Sequence, residues 1–71
     1  MTLRDLMNQI EIHGGVVIKR FEDDGETEIS ILDTADFECD RYKLQDNDLD
    51  RRVIYLYTGA MDIAYLVIEV E

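Results

Sequence analysis

Apolar and polar positions alternate with the period of a strand through the last part of the chain. Val53-Ile54-Tyr55-Leu56-Tyr57 and Ile63-Ala64-Tyr65-Leu66-Val67-Ile68-Glu69-Val70 are rich in β-branched and aromatic residues, and the five residues between them include Gly59 and Asp62. This pattern predicts a β-hairpin. Setting Tyr57 opposite Ile63 gives one aliphatic face of Ile54, Leu56, Ala64, Leu66, Ile68 and Val70. The reverse face carries Val53, Tyr55, Tyr57, Ile63, Tyr65 and Val67, with Arg51 across from Glu69. The aliphatic face is the expected core. The tyrosine face is too apolar for ordinary solvated surface.

A second hairpin is predicted from Val16–Phe21 and Glu26–Leu32 around Glu22-Asp23-Asp24-Gly25, since glycine takes the positive φ of a tight turn without steric cost. With Phe21 opposite Glu26, the inward set is Val16, Ile18, Ile29 and Ile31, and Lys19 falls across from Glu28. At the start, Leu3, Leu6, Met7 and Ile10 recur at helical spacing behind Thr2 and Asp5, a cap with an acidic third residue. So short a helix needs a sheet to pack on. The expected fold class is α+β: an N-terminal helix on a four-stranded antiparallel sheet made of two hairpins, forming a single domain over residues 1–71.

Residues 33–50 read as a long connection anchored by Phe37, Cys39, Tyr42, Leu44 and Leu49. A short strand through Phe37, Cys39 and Arg41 and a helical turn over Asp46–Asp50 both fit it. Folded back, the connection would cover the tyrosine face with Phe37, Tyr42 and Leu44. Left uncovered, that face predicts a homodimer through Phe21, Tyr55, Tyr57, Tyr65 and Val67.

Charge changes this picture more than composition does. The net charge is −10, and residues 22–50 hold twelve acids against Arg41 and Lys43, which accounts for all of it. The rest of the chain is balanced. Glu22, Asp23, Asp24, Asp36, Glu38, Asp40, Asp46, Asp48 and Asp50 form the candidate binding face for a basic protein. The same field repels phosphates and anionic lipid, so neither direct nucleic-acid binding nor membrane binding is expected. Tyrosines on a sheet can stack bases, but the basic residues such platforms need are few here. With no apolar run of membrane-spanning length and with Arg4 and Asp5 interrupting the start, a cytoplasmic location is expected.

Chemistry finds little purchase. Asp46, Asp48 and Asp50 begin like a calcium loop, but Arg51 stands where glycine is required and Tyr57 where the bidentate glutamate belongs. Loose divalent-cation association is a minor reading of the same acids. His13 lacks a patterned nucleophile, Gly14-Gly15 lacks the spacing of a phosphate loop, and Cys39 is the single cysteine. No enzyme activity and no cofactor are expected.

Met1-Thr2-Leu3-Arg4-Asp5-Leu6-Met7, Arg51-Arg52 entering the tyrosine strand, and Leu66-Val67-Ile68-Glu69-Val70 resemble small acidic uncharacterised proteins of gut Firmicutes, their phages and conjugative elements. In size and charge the chain is also similar to phage-encoded DNA-mimic inhibitors, including anti-CRISPR proteins. That likeness implies a non-catalytic inhibitor that occupies a basic nucleic-acid-handling protein. The residues equally fit a structural or oligomerisation module with an incidentally acidic surface.

Overall fold

Thr2 caps helix α1 (Leu3–Gln9) as its spacing to Asp5 predicts: Thr2 Oγ1 accepts from the Asp5 N–H (3.2 Å) and the Asp5 carboxylate accepts from the Thr2 N–H (3.0 Å). Leu3 and Leu6 are buried and Met7 packs beside them. Ile10 does not join this stripe, because the helix ends there in extended backbone and leaves it exposed. The structure, a computed structural model, describes residues 1–60 and 64–71.

Four strands follow, β1 (Gly15–Phe21), β2 (Glu28–Thr34), β3 (Val53–Ala60) and β4 (Ala64–Val70), in the spatial order β2-β1-β4-β3. Both predicted hairpins are present, and the α+β class holds. The two hairpins meet through β1 and β4, which run parallel, so the sheet is mixed. The reason lies in residues 36–50. Helix α2 (Phe37–Asp40), a 3-10 turn (Arg41–Lys43) and helix α3 (Asp46–Leu49) carry the chain back along the sheet, so β3 enters in the same direction as β2.

Both registers differ from those the alternation alone suggests. In the first hairpin Phe21 faces Glu28 and Ile18 faces Leu32, with a bulge at Ile31. The bulge lets the consecutive residues Ile31 and Leu32 both reach the core. Lys19 therefore faces Ser30, and its ion pair with Glu28 (3.4 Å) runs diagonally. In the second hairpin Tyr57 faces Val67 and Tyr55 faces Glu69, so β3 continues through Thr58 and Gly59, which the sequence places in the turn. Ile63, the expected partner of Tyr57, lies outside the described residues. A second bulge, at Ile54, turns Val53 from the tyrosine face to the core. Arg51 does not meet Glu69; it donates to the Glu71 carbonyl (2.8 Å).

The core is Leu3, Leu6, Val16, Ile18, Phe37, Leu44, Ile68 and Val70. Phe37 and Leu44 thus join α1 on its side of the sheet and do not fold over the tyrosines, while Tyr42 is 77% exposed. The Phe37 N–H donates to the Gly14 carbonyl (2.9 Å), which ties α2 to the start of β1 and sets the helical segment on that side. Phe37, Cys39 and Arg41 form no strand. The helical layer does not extend to the outer edge of the sheet, so Ile54 and Leu56 on β3, expected in the core, are exposed.

Candidate interaction surface

With α1, α2 and α3 all on one side, the other side of the sheet faces outward without a covering layer among the described residues. Strand alternation and the observed pairing bring onto it Val17, Lys19 and Phe21 from β1, Tyr65, Val67 and Glu69 from β4, and Tyr55 and Tyr57 from β3. Glu28, Ser30 and Asp33 of β2 complete the face. Tyr55 is 60% exposed and Tyr57 42%, whereas Phe21 and Tyr65 are half-buried. Val67, expected to contribute to a contact face, is only 4% exposed and offers a partner almost nothing.

Lys19 reaches across this face. Its ammonium lies 5.3 Å from the centre of the Phe21 ring and 5.5 Å from that of Tyr57, which stands two strands away. The two side chains therefore meet across β4, the strand between them, where Val67 sits beside Tyr57 in register. The Tyr57 hydroxyl, with Glu28 as a further partner, raises the lysine pKa above its ordinary value against the opposing effect of burial. A lysine thus holds the centre of the face, with its charge already answered within the chain. In the sequence Lys19 has a cross-strand partner in Glu28; its reach to Tyr57 has no signal there because the two meet through the β1–β4 pairing.

The nine acids proposed as one binding face are divided by the fold. Glu22, Asp23 and Asp24 lie at the β1–β2 turn. Asp46, Asp48 and Asp50 lie around α3, near the start of β3. Asp36, Glu38 and Asp40 lie on or beside α2, by the start of β1 and so at the opposite end of the sheet from the turn. Seven strand residues separate those two ends, roughly 20 Å. A continuous row of all nine carboxylates is therefore not formed.

Most of these acids also have partners inside the chain. Asp46 and Asp50 flank Arg4 at 3.6 and 3.3 Å, and Asp48 lies 3.6 Å from Arg51 Nε. Asp24 accepts from the N–H groups of Glu26 (2.8 Å) and Thr27 (2.9 Å) and from the Thr27 hydroxyl (2.7 Å). Those bonds, the Thr27 backbone one first, hold its pKa below the ordinary carboxylate value. Asp36 caps α2, and Asp40 accepts from the Thr34 hydroxyl and pairs with Lys43 (3.2 Å). Asp23 has no such partner among the described residues, and the nearest cation to Glu22, Arg20, is 3.9 Å away.

His13 sits between Glu38 and Glu11, and the hydrogen bond to Glu38 raises its pKa. Together with Arg41 these side chains line an exposed hollow of 210 Å³. A shallow cleft of 360 Å³ lies beside it, walled by Ile10, Ile12, Gly15, Thr58, Tyr65 and Leu66. Neither places a nucleophile beside a base. The exposed Cys39 thiol is pushed up by the neighbouring Asp36 carboxylate, away from the thiolate that would react. Among the described residues no three carboxylate, histidine or cysteine groups converge as metal ligands, and no helix is long and apolar enough to cross a membrane. No protein-family model, curated protein or solved structure matches the chain.

Proposed function

We propose that this chain is a non-catalytic, acidic protein-interaction domain that docks a basic protein on the outer face of its sheet. The observation that carries the reading is the exposure of Tyr55 and Tyr57 on a face whose only cation among the described residues, Lys19, is paired internally with Glu28. Glu69 stands on the same face directly across from Tyr55, whereas Asp33 lies beside Val17 at the far edge of the sheet. An arginine of a partner would stack on the Tyr55 ring and pair with Glu69, an arrangement that rewards a planar cation over a lysine. The net charge of −10 would steer such a partner from a distance, and the acids at the β1–β2 turn would contribute to that field.

Basic surfaces of this kind belong above all to proteins that handle nucleic acid, which keeps inhibition by phosphate mimicry within this reading. The mimicry would rest on a compact patch and on the general field, since the acids do not form one row. Titration of isotope-labelled protein with an arginine-rich peptide tests it. Shifts should centre on Tyr55, Tyr57 and Glu69, affinity should fall as salt is added, and double-stranded DNA should compete for the peptide. Tyr55→Ala with Tyr57→Ala should weaken binding by about tenfold or more. Shifts confined to α3 or to the β1–β2 turn, or no binding at low salt, would overturn the proposal.

A further inference from the structure

The two edges of the sheet are built differently. Edge strand β2 carries Glu28 and Asp33 and is broken by the bulge at Ile31, devices that discourage pairing with another strand. Edge strand β3 has neither device over most of its length. Residues 54–60, Ile-Tyr-Leu-Tyr-Thr-Gly-Ala, contain no charge and no proline, and Ile54, Tyr55, Leu56 and Tyr57 are all exposed. Its single bulge lies at the very start of the strand.

That start is also where the edge is already occupied. Thr2 forms an antiparallel bridge with Arg52, the Val53 N–H donates to the Met1 carbonyl (2.9 Å), and the Leu3 N–H donates to the Arg51 carbonyl (2.9 Å). The N-terminal residues thus serve as a short added strand. They stop at Val53, and beyond it no described segment of the chain pairs with the outer side of β3.

From this we infer that β3 pairs edge to edge with β3 of a second copy of this chain, antiparallel and about a two-fold axis at Tyr57. Charge confines where two copies can meet. A protein of net charge −10 repels its own copies, and β3 is a stretch of its edge where they can meet without bringing carboxylates together. Residue pattern selects this occupant. Centring at Tyr57 matches Leu56 with the second copy's Thr58 and Ile54 with its Ala60 on one side of the sheet. On the other side Tyr57 meets its own counterpart, and Tyr55 lies across from Gly59, whose place on that face is filled by the Tyr65 ring. The antiparallel sense keeps the two Arg51-Arg52 pairs at opposite ends of the contact. The product is a continuous eight-stranded sheet with one uninterrupted tyrosine face. This inference does not depend on the basic-partner reading, and its test uses the chain alone.

Sedimentation equilibrium of the wild type, up to roughly 1 mM, should show a concentration-dependent dimer. Tyr57→Glu, which sets two carboxylates face to face at the axis, should weaken it by about tenfold or more, and mixing that variant with Tyr57→Lys should restore it. With Cys39 replaced by serine, Tyr57→Cys should cross-link to itself under mild oxidation, because directly opposed residues in an antiparallel pair are within roughly 4.5–5.5 Å. Ser30→Cys on the other edge should not. Hydrogen exchange on the wild type, which requires no variant to fold, should show amides in residues 54–60 gaining protection as concentration rises. A wild type that stays monomeric throughout, or a dimer in which Ser30→Cys cross-links as readily as Tyr57→Cys, would overturn the inference.

Discussion

The ring of Tyr65 lies over Gly59 on the neighbouring strand, so close that a β-carbon at Gly59 would stand 2.5 Å from the ring's Cζ. The glycine is what admits the ring, and its place is within β3, one residue from its end, not in a turn. Because the atoms in the way belong to the free end of a long side chain, Gly59→Ala should expel the ring and leave the fold intact. The expected result is a small change in Tm with loss of the ring-current shift at residue 59, read by NMR. An unchanged Tyr65 environment would show that the ring rests elsewhere.

Ile68 and Leu56 face each other across β3 and β4, yet Ile68 is fully buried while Leu56 is 47% exposed. Ile68→Ala should therefore cost roughly 2–5 kcal/mol, enough to unfold much of so small a domain. Leu56→Ala should cost less than about 1 kcal/mol in dilute solution. Urea melts at low protein concentration check both, since self-association would add to the apparent stability of the wild type.

Phe37→Ala tests the placement of the helical return segment. The side chain is fully buried in the core shared with α1, so its loss should cost about 3–5 kcal/mol. Tyr42→Ala, five residues on and exposed, should be close to neutral. If residues 33–50 instead covered the tyrosine face, both substitutions would destabilise.

Lys19 and Tyr57 should be energetically coupled although they sit on strands that are not neighbours. A double-mutant cycle with Lys19→Met and Tyr57→Leu should return about 0.5–1 kcal/mol, the range of a cation over an aromatic ring. A coupling of zero would place the ammonium in solvent.

Two groups give opposite pH dependences. The hydrogen bond to Glu38 raises the His13 pKa, so its contribution to stability is complete below the ordinary histidine value of about 6.5 and disappears as pH rises through the higher folded value. Thr27 lowers the Asp24 pKa, so that contribution is complete above about 3.9 and disappears as pH falls through the lower folded value. Thermal melts should show His13→Gln flattening the loss of stability on the alkaline side and Asp24→Ala flattening it on the acid side. Unchanged slopes would mean that neither pair persists in solution.

What the sequence determined by itself is local. The Thr2–Asp5 cap, the leucines of α1, the Asp24-Gly25 turn and the alternation of both hairpins depend on neighbours within a few residues, and each was legible from spacing. The separation of an aliphatic from a tyrosine face in β3 and β4 was legible too, because a register error of an even number of residues leaves each side chain on its own face. Tertiary structure decided the rest. The bulges at Ile31 and Ile54 change which residues face the core, and alternation gives no sign of them. The parallel β1–β4 pairing arises from the return path of residues 36–50, whose few apolar side chains do not say which side of the sheet they will cover. Once Phe37 and Leu44 had packed beside α1, the tyrosine face was left open, Lys19 and Tyr57 could meet across β4, and the acids were carried to separate ends of the sheet. Charge can be counted along a chain, but whether like charges gather or part depends on contacts between residues far apart in sequence, and composition holds no record of those.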